Sequence, residues 1–516
     1  MKIKNLYQYL GARLALVSFP FLLFLIGVVH VKVYVKLASI VLYGLYLLYK
    51  RVSLPRRLNG PIYFYLLMIP LGIVSAFCND VGMNPDYWRG FAVGAAKWLA
   101  AASGLFLLGV SLKRIANERV LVTIKAFFLL NALASFADLV SVMIRSKRWI
   151  PYWINDSTQF GISTGDYIHG LTRDVSIANA ALNVTGILFF LFHKDLKWLF
   201  LCIVILVLCT SNFSMLLLFA CLAAVIVLIN DRRIRLYALG SILCTMLLYG
   251  FLSMQNVIYA NKTINQELAA TTAAGQKEEG DGMEIQVSGE GTRRDAQAVG
   301  TAGTIGVSDV VRDLRWMHSE ITRKDSPGLD TGLARLAVRS WYGVSYDSSR
   351  LGVSGMPGKL YALRQTGAYM VSNPGRFFLG AGPGNFSSNL AIKMTGLGVH
   401  GSYSPGHIYV HQDFLEHHLY IWMYVFAHTA EFHSVTQLPA NTYSQVGGEY
   451  GAIGLMLFGV LYVGFFLKRA GFRPSALILI AMLLGYFFVD YWFEAISLTV
   501  FFELLMLAEW WKKQPD

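Results

Sequence analysis

Apolar residues in this chain fall in long unbroken runs rather than in alternating positions or narrow stripes. Leu16 to Val29 reads LVSFPFLLFLIGVV, and comparable blocks recur to the C-terminus. A helix that crosses a bilayer needs about 20 mainly apolar residues. On that measure spans are predicted near residues 12–30, 32–49, 61–78, 90–110, 120–143, 175–193, 196–212, 213–230, 235–253, 444–467, 474–491 and 493–510. The runs are too long and too uniform for barrel strands. The pattern therefore predicts an all-α, polytopic helical membrane protein with about 12 transmembrane helices. The shallowest division is at Thr210-Ser211-Asn212, where three polar residues separate two apolar blocks.

Composition agrees with that reading. Of 516 residues 55% are hydrophobic and 15% charged, against about 25% charged in soluble domains. Because the apolar blocks continue far past the first, a secreted enzyme behind a cleaved leader is excluded. The five cysteines (Cys78, Cys202, Cys209, Cys221, Cys244) lie in or beside apolar runs, without metal or disulfide spacing.

The net charge of +13 would suit a nucleic-acid partner in a soluble protein. Here the basic residues cluster between spans, at Lys50 to Arg57, Lys113 to Arg119, Lys194 with Lys197, Arg232 to Arg235 and Lys468 to Arg473, and near both termini. All these segments fall on one side of the predicted layout, so that side is assigned to the cytoplasm and no nucleic-acid partner is invoked. Two connections break the rule. Lys32 and Lys36 sit at the first outer turn, where they read as snorkelling side chains. Arg145, Lys147, Arg148 and Arg173 occupy the third outer connection, where either an anionic ligand or a lipid phosphate accounts for them.

The layout divides the chain into spans one to nine (1–253), a large outward loop (254–443) and spans ten to twelve (444–516). Within the loop, 263–307 is rich in Gly, Glu, Gln, Thr and Ala and is expected to be a flexible insertion. The remainder, 308–443, is expected to be helical and to hold the chemistry. Helical spacing appears around Val310, Leu314 and Met317, again over Gly332–Tyr342, and from Pro357 to Val371. From Arg335 to Arg376 there are six basic residues and one acid, Asp347. Five of the six are arginines, whose planar forks match phosphate oxygens.

Seven of the 11 histidines lie between His400 and His433. A zinc site would draw on His407, His411 and Asp413, or on Glu416 with His418. The spacing matches no tight metal signature, and neither a metal nor another cofactor is assigned. Phe414–Ala430 reads as an amphipathic helix at the outer interface.

The third loop helix is followed by NPGRFFLGAGPGNFSS (Asn373 to Ser388). Then comes LPANTYSQVGGEYGAIGL, from Leu438 into the tenth span. This arrangement resembles the bacterial O-antigen ligases and O-antigen polymerases: multi-span proteins with one late periplasmic loop, an Arg-bearing helix, a glycine-rich turn and an Asn-x-Tyr…Glu-x-Gly stretch. The matching residues are Arg364, the turn Phe378 to Phe386 with Gly382 and Gly384, then Asn441, Tyr443 and Glu449. Arg173 fits more loosely an arginine of an earlier outer loop. Ligases carry a histidine before the asparagine, where this chain has Ala440, so the resemblance leans toward a polymerase. His433 is the nearest substitute for that histidine.

The resemblance implies metal-independent glycosyl transfer from an undecaprenyl-pyrophosphate-linked oligosaccharide to a glycan acceptor. The setting would be the periplasmic face of the bacterial inner membrane, with membrane lipid around the site and flippase or chain-length regulator proteins as partners. Arg173 and Arg364, with Arg350 and Arg376 in reserve, would stabilise the leaving diphosphate. Glu449 would be the base, or else a structural hydrogen-bonding group at the top of its helix. Gly380, Gly382 and Gly384 would approach a phosphate or simply reverse the chain. A lipid-linked sugar transporter remains the rival reading, although no internal duplication supports it.

Overall fold

The computed structural model describes residues 15–52, 60–79, 84–153, 164–252, 357–395, 409–419, 421–422 and 437–511. The expected insertion 263–307, the helical spacings around Val310 and over Gly332–Tyr342, and the site candidates Arg350 and His433 lie outside these residues.

The chain is mostly helical. The first part runs α1 (Phe19–Val29), α2 (Val33–Tyr49), α3 (Gly60–Cys78), α4 (Pro85–Arg114), α5 (Asn117–Ser146), α6 (Ser176–Phe192), α7 (Leu196–Leu208), α8 (Asn212–Leu228) and α9 (Arg232–Leu252). The late loop contributes α10 (Gly358–Ser372), α11 (Pro374–Leu379), α12 (Asn389–Met394) and α13 (Gln412–Phe414), the last continuing as a π turn, Leu415–Leu419. The chain closes with α14 (Thr442–Ala470), α15 (Pro474–Phe487), α16 (Trp492–Ala495) and α17 (Ser497–Trp511).

The expected count of about 12 spans is corrected. Among the described residues five helices, α3, α4, α5, α9 and α14, are long and apolar enough to cross a membrane. The other apolar runs form shorter helices, from 11 residues in α1 to 17 in α2, α6 and α8. At about 1.5 Å per residue, 17 residues reach roughly 25 Å, short of a hydrocarbon core of about 30 Å. The reason is local: hydropathy ignores backbone breaks. Ile496 at φ 64° splits the last run into the short α16 and α17, and Thr210 at φ 44° ends α7. Extended His30 closes α1.

Membrane character shows in the surface. On α9, Leu236, Leu239, Leu243, Met246 and Leu247 are all exposed. Their three- and four-residue spacing forms an apolar stripe that water would penalise and lipid would cover. The bundle interior is aromatic. Phe493 on α16 lies 5.2 Å from Phe64 and 4.9 Å from Phe487, centroid to centroid, and Trp98 and Tyr462 pack around the same point. This cluster fixes α16 against α3, α4 and α14, and so fixes the floor of the cavity described next.

Candidate functional site

Two segments that are far apart in sequence meet as one unit. The glycine-rich turn after α11 has Gly380, Gly382 and Gly384 at φ 68°, 92° and 77°. A side chain on Gly380 would place its Cβ 2.4 Å from the Glu449 carbonyl carbon, so only glycine fits. Facing it, α14 is broken at Gly451 (φ 64°, ψ −161°). The break frees carbonyls that the turn then satisfies: Ala381 donates to Gly448 O at 2.8 Å and Gly382 to Glu449 O at 3.0 Å. Asn79, just past α3, and Ser75 donate to the Gly380 carbonyl from the other side, at 3.0 and 3.3 Å.

Glu449 is 1% exposed. The Ser388 hydroxyl and the amides of Gly384 and Phe386 face its carboxylate, while Oε1 has no hydrogen-bond partner. The amides that would have cradled a phosphate are thus turned onto the protein's own backbone and carboxylate. Gly382 and Gly384 serve as chain reversal in this state.

Beside this unit lies a cavity of about 500 Å³. Its walls come from six places: the α1–α2 turn with the start of α2, Lys97 of α4, the segment before α6, α12, Trp422 of the late loop, and the α15–α16 connection with α16 itself. Four lysines line it, Lys32, Lys36, Lys97 and Lys393, together with Asp174, Asp490 and Glu494. Lys97 pairs with Glu494, both almost wholly buried. Glu494 also accepts from Gln445 Nε2 at 2.8 Å and from the Leu390 amide. Lys36, 3% exposed, donates to the Ala495 carbonyl. Lys393 is partly buried, and burial, followed by the nearby Lys97 ammonium, pushes its amine below the usual range.

Beneath the cavity, Lys359 at the start of α10 is 1% exposed and donates to the carbonyls of Ala440 and Val489. Burial lowers the Lys359 amine and raises the Asp490 carboxyl, and their mutual attraction opposes both shifts. Asp490 Oδ1 accepts the Tyr491 amide at 2.7 Å.

The residues singled out from the sequence are distributed around this cavity rather than gathered in it. Arg173 sits at φ 51°, one residue before the lining Asp174, and pairs with Asp138 at 2.7 Å. Its segment is anchored by the His169 and Gly170 amides on Asp138, by the Leu171 amide on Asn131, and by Val31 donating to Thr172 O. Arg364 lies on the exposed side of α10. Arg376 pairs with Asp413, which also accepts from Tyr369 at 2.8 Å. Asn441 caps α14 by accepting the Ser444 amide at 2.6 Å. Tyr443 donates to Leu484 O at 2.7 Å. Glu449 is not in the cavity lining; it shares a small packed space with Gln445, Lys97 and Glu494 behind it.

Sequence reasoning missed Lys97, Lys393, Asp490 and Glu494 and read Lys36 as a snorkelling side chain. The available signal was a charge inside an apolar run, which is expensive without a partner or a purpose. Of the loop histidines, His418 is buried against Phe386, ring centroids 4.6 Å apart, with Thr366 Oγ1 3.5 Å from Nε2. Burial, then its neighbour His417, pushes the His418 imidazole down to about 3. Among the described residues no group of three or more His, Cys, Asp or Glu is arranged to hold a metal ion. No protein-family model matches the chain, and neither does any curated protein or solved structure.

Proposed function

We propose that this protein polymerises oligosaccharide repeat units carried on a polyprenyl diphosphate, as an O-antigen or exopolysaccharide polymerase at the periplasmic face of the bacterial inner membrane. The observation that carries the reading is the joining of the glycine turn to the Glu449–Gly451 segment beside a lysine-lined cavity. These are the two motifs on which the resemblance to O-antigen polymerases and ligases rests.

The chemistry needs three things. An acceptor hydroxyl attacks the anomeric carbon as the bond from that carbon to the diphosphate oxygen breaks. The hydroxyl proton passes to a base, and the carrier diphosphate leaves with the bonding electrons. Three carboxylates line the cavity; Glu494 is paired with Lys97, which leaves Asp174 and Asp490 as the candidate bases for a sugar bound there. The lysines supply charge for the leaving diphosphate, with Arg173 beside the lining. Ammoniums that do not reorganise in a partly enclosed site stabilise developing charge far better than mobile water does.

The test is to give purified protein the lipid-linked repeat unit alone, and then with a separate acceptor. Polymerase action yields a ladder of lengthening lipid-linked glycans without any second acceptor. Product formed only when a lipid A-core or other acceptor is present would replace this reading with a ligase. Movement of the intact lipid-linked sugar across a vesicle, with no new glycosidic bond, would replace it with a transporter.

A further inference from the structure

Four ammoniums line the cavity against three carboxylates, and one of those carboxylates, Asp490, also faces the buried Lys359. Lys36, Lys97 and Lys393 are close enough to repel one another pairwise. Lys97 is answered by Glu494. Lys36 meets only the carbonyl of Ala495 among the described residues. Lys393 makes no ion pair or side-chain hydrogen bond among them.

The remaining lining carboxylates attract these lysines, Asp174 both of them and Asp490 Lys393, without pairing directly with either. Asp174 Oδ1 accepts the Val175 amide at 2.9 Å, and Asp490 accepts the Tyr491 amide and faces Lys359. Neither is within 4 Å ion-pair distance of Lys36 or Lys393. Holding like charges together in a partly enclosed space is unfavourable unless something of opposite sign occupies the gap.

We propose that Lys36 and Lys393, with Lys97 beside them and Lys32 at the same cavity wall, form a binding site for a phosphate-bearing anion, a diphosphate above all. A single carboxylate would bring one charge and two oxygens to three ammoniums. A diphosphate brings two or three charges and several oxygens, and lysine acts on it as a point charge that needs no fixed fork. A volume of about 500 Å³ leaves room for more of the ligand than the diphosphate, within the usual range for small-molecule sites. The three lysines come from α2, α4 and α12, so the site exists only when the late loop is docked on the bundle. The choice of diphosphate over other phosphates rests on the polymerase reading; the anion site itself does not.

The test uses the full-length protein in detergent, titrated calorimetrically with inorganic diphosphate. Saturable binding is expected, weakened by salt and by at least about tenfold in Lys393→Gln, the loss of one charge-assisted bond. Lys393 is only partly buried, so this variant keeps the fold, whereas Lys36→Gln is the harsher companion. Lys393→Arg should retain most of the affinity.

Competition by vesicles of phosphatidylglycerol, lost in the same variants, would support the site with a lipid headgroup as the source. Competition by a polyprenyl diphosphate alone would identify the carrier. No binding, or binding equal in wild type, Lys393→Gln and Lys36→Gln, overturns the proposal. The two readings fail separately. Lysine-dependent diphosphate binding without a glycan ladder sinks the polymerase alone, and a ladder without lysine-dependent diphosphate binding sinks the anion site alone.

Discussion

The amide of Gly382 donates to the carbonyl of Glu449 across 3.0 Å. That bond joins a turn in the late loop to a helix that continues as a membrane-length segment. The turn can approach so closely because Gly380 and Gly451 lie back to back: a Cβ on Gly451 would come 2.5 Å from the Phe378 carbonyl.

Gly380→Ala is therefore expected to disrupt the join. The backbone there costs about 1 to 3 kcal/mol for any residue with a side chain, and the clash with Glu449 adds to it. The melting temperature in detergent should fall by several degrees, and accumulation should fall with it. Gly375→Ala, where an added Cβ meets nothing within 4 Å, should stay within about 0.5 kcal/mol of wild type. Equal behaviour of the two would mean that the turn is not held against α14.

The Lys97–Glu494 pair is 5% and 7% exposed. Removing one partner leaves the other buried and unanswered, which costs about 3 to 5 kcal/mol. Lys97→Met should thus be strongly destabilised, while Lys97→Met with Glu494→Gln should recover a large part of the loss. Thermal scans of the two singles and the double give the coupling energy. Simple additivity would show that the two side chains do not meet.

His418 sets a direction for acid sensitivity. Its folded value is about 3 against 6.5 for a free imidazole. Between those values the unfolded chain holds a proton that the folded chain refuses. Stability is full above pH 6.5 and falls as the pH drops toward 3. Melting temperatures at pH 7 and pH 5 should differ in wild type and differ less in His418→Gln. An unchanged slope in that variant would assign the acid loss to other groups.

Arg364 and Arg376 should separate cleanly. Arg364 is exposed, so Arg364→Ala should leave the melting temperature unchanged, and under the proposed function it should reduce glycan transfer through substrate contact alone. Arg376→Ala removes the partner of Asp413, whose side chain is 10% exposed, and should destabilise by about 1 to 3 kcal/mol. If Arg364→Ala transfers glycan at the wild-type rate, Arg364 has no part in the site.

The helices were legible because burial in lipid or protein demands long apolar runs, and the predictions for α10 and α14 fell within a few residues of the helices found. Their ends were not. Ile496 and Thr210 take positive φ through tertiary packing that no hydropathy pattern encodes. The glycine turn and the Glu449 segment were both visible as motifs, but their bond depends on a backbone break at Gly451 that sequence alone does not announce. The lysines of the cavity were the hardest. Lys97 and Glu494 are 397 positions apart, and each reads locally as an isolated charge near apolar neighbours. Arginine clustering drew attention to Arg364 and Arg376, which packing sends to a helix surface and to Asp413.

Lys359 carries a consequence for how this protein could be taken apart. Its ammonium grips the carbonyls of Ala440 and Val489 at once, so α10, the entry to α14 and the α15–α16 connection share one fastening. A chimaera that grafts residues 357–441 from this chain onto another bundle would arrive with a buried lysine and no carbonyl from position 489 to receive it. Exchangeable modules in this architecture would have to carry residues 488–495 along with the loop. Recombination that respects only the boundaries of the loop should yield chains that insert but do not assemble.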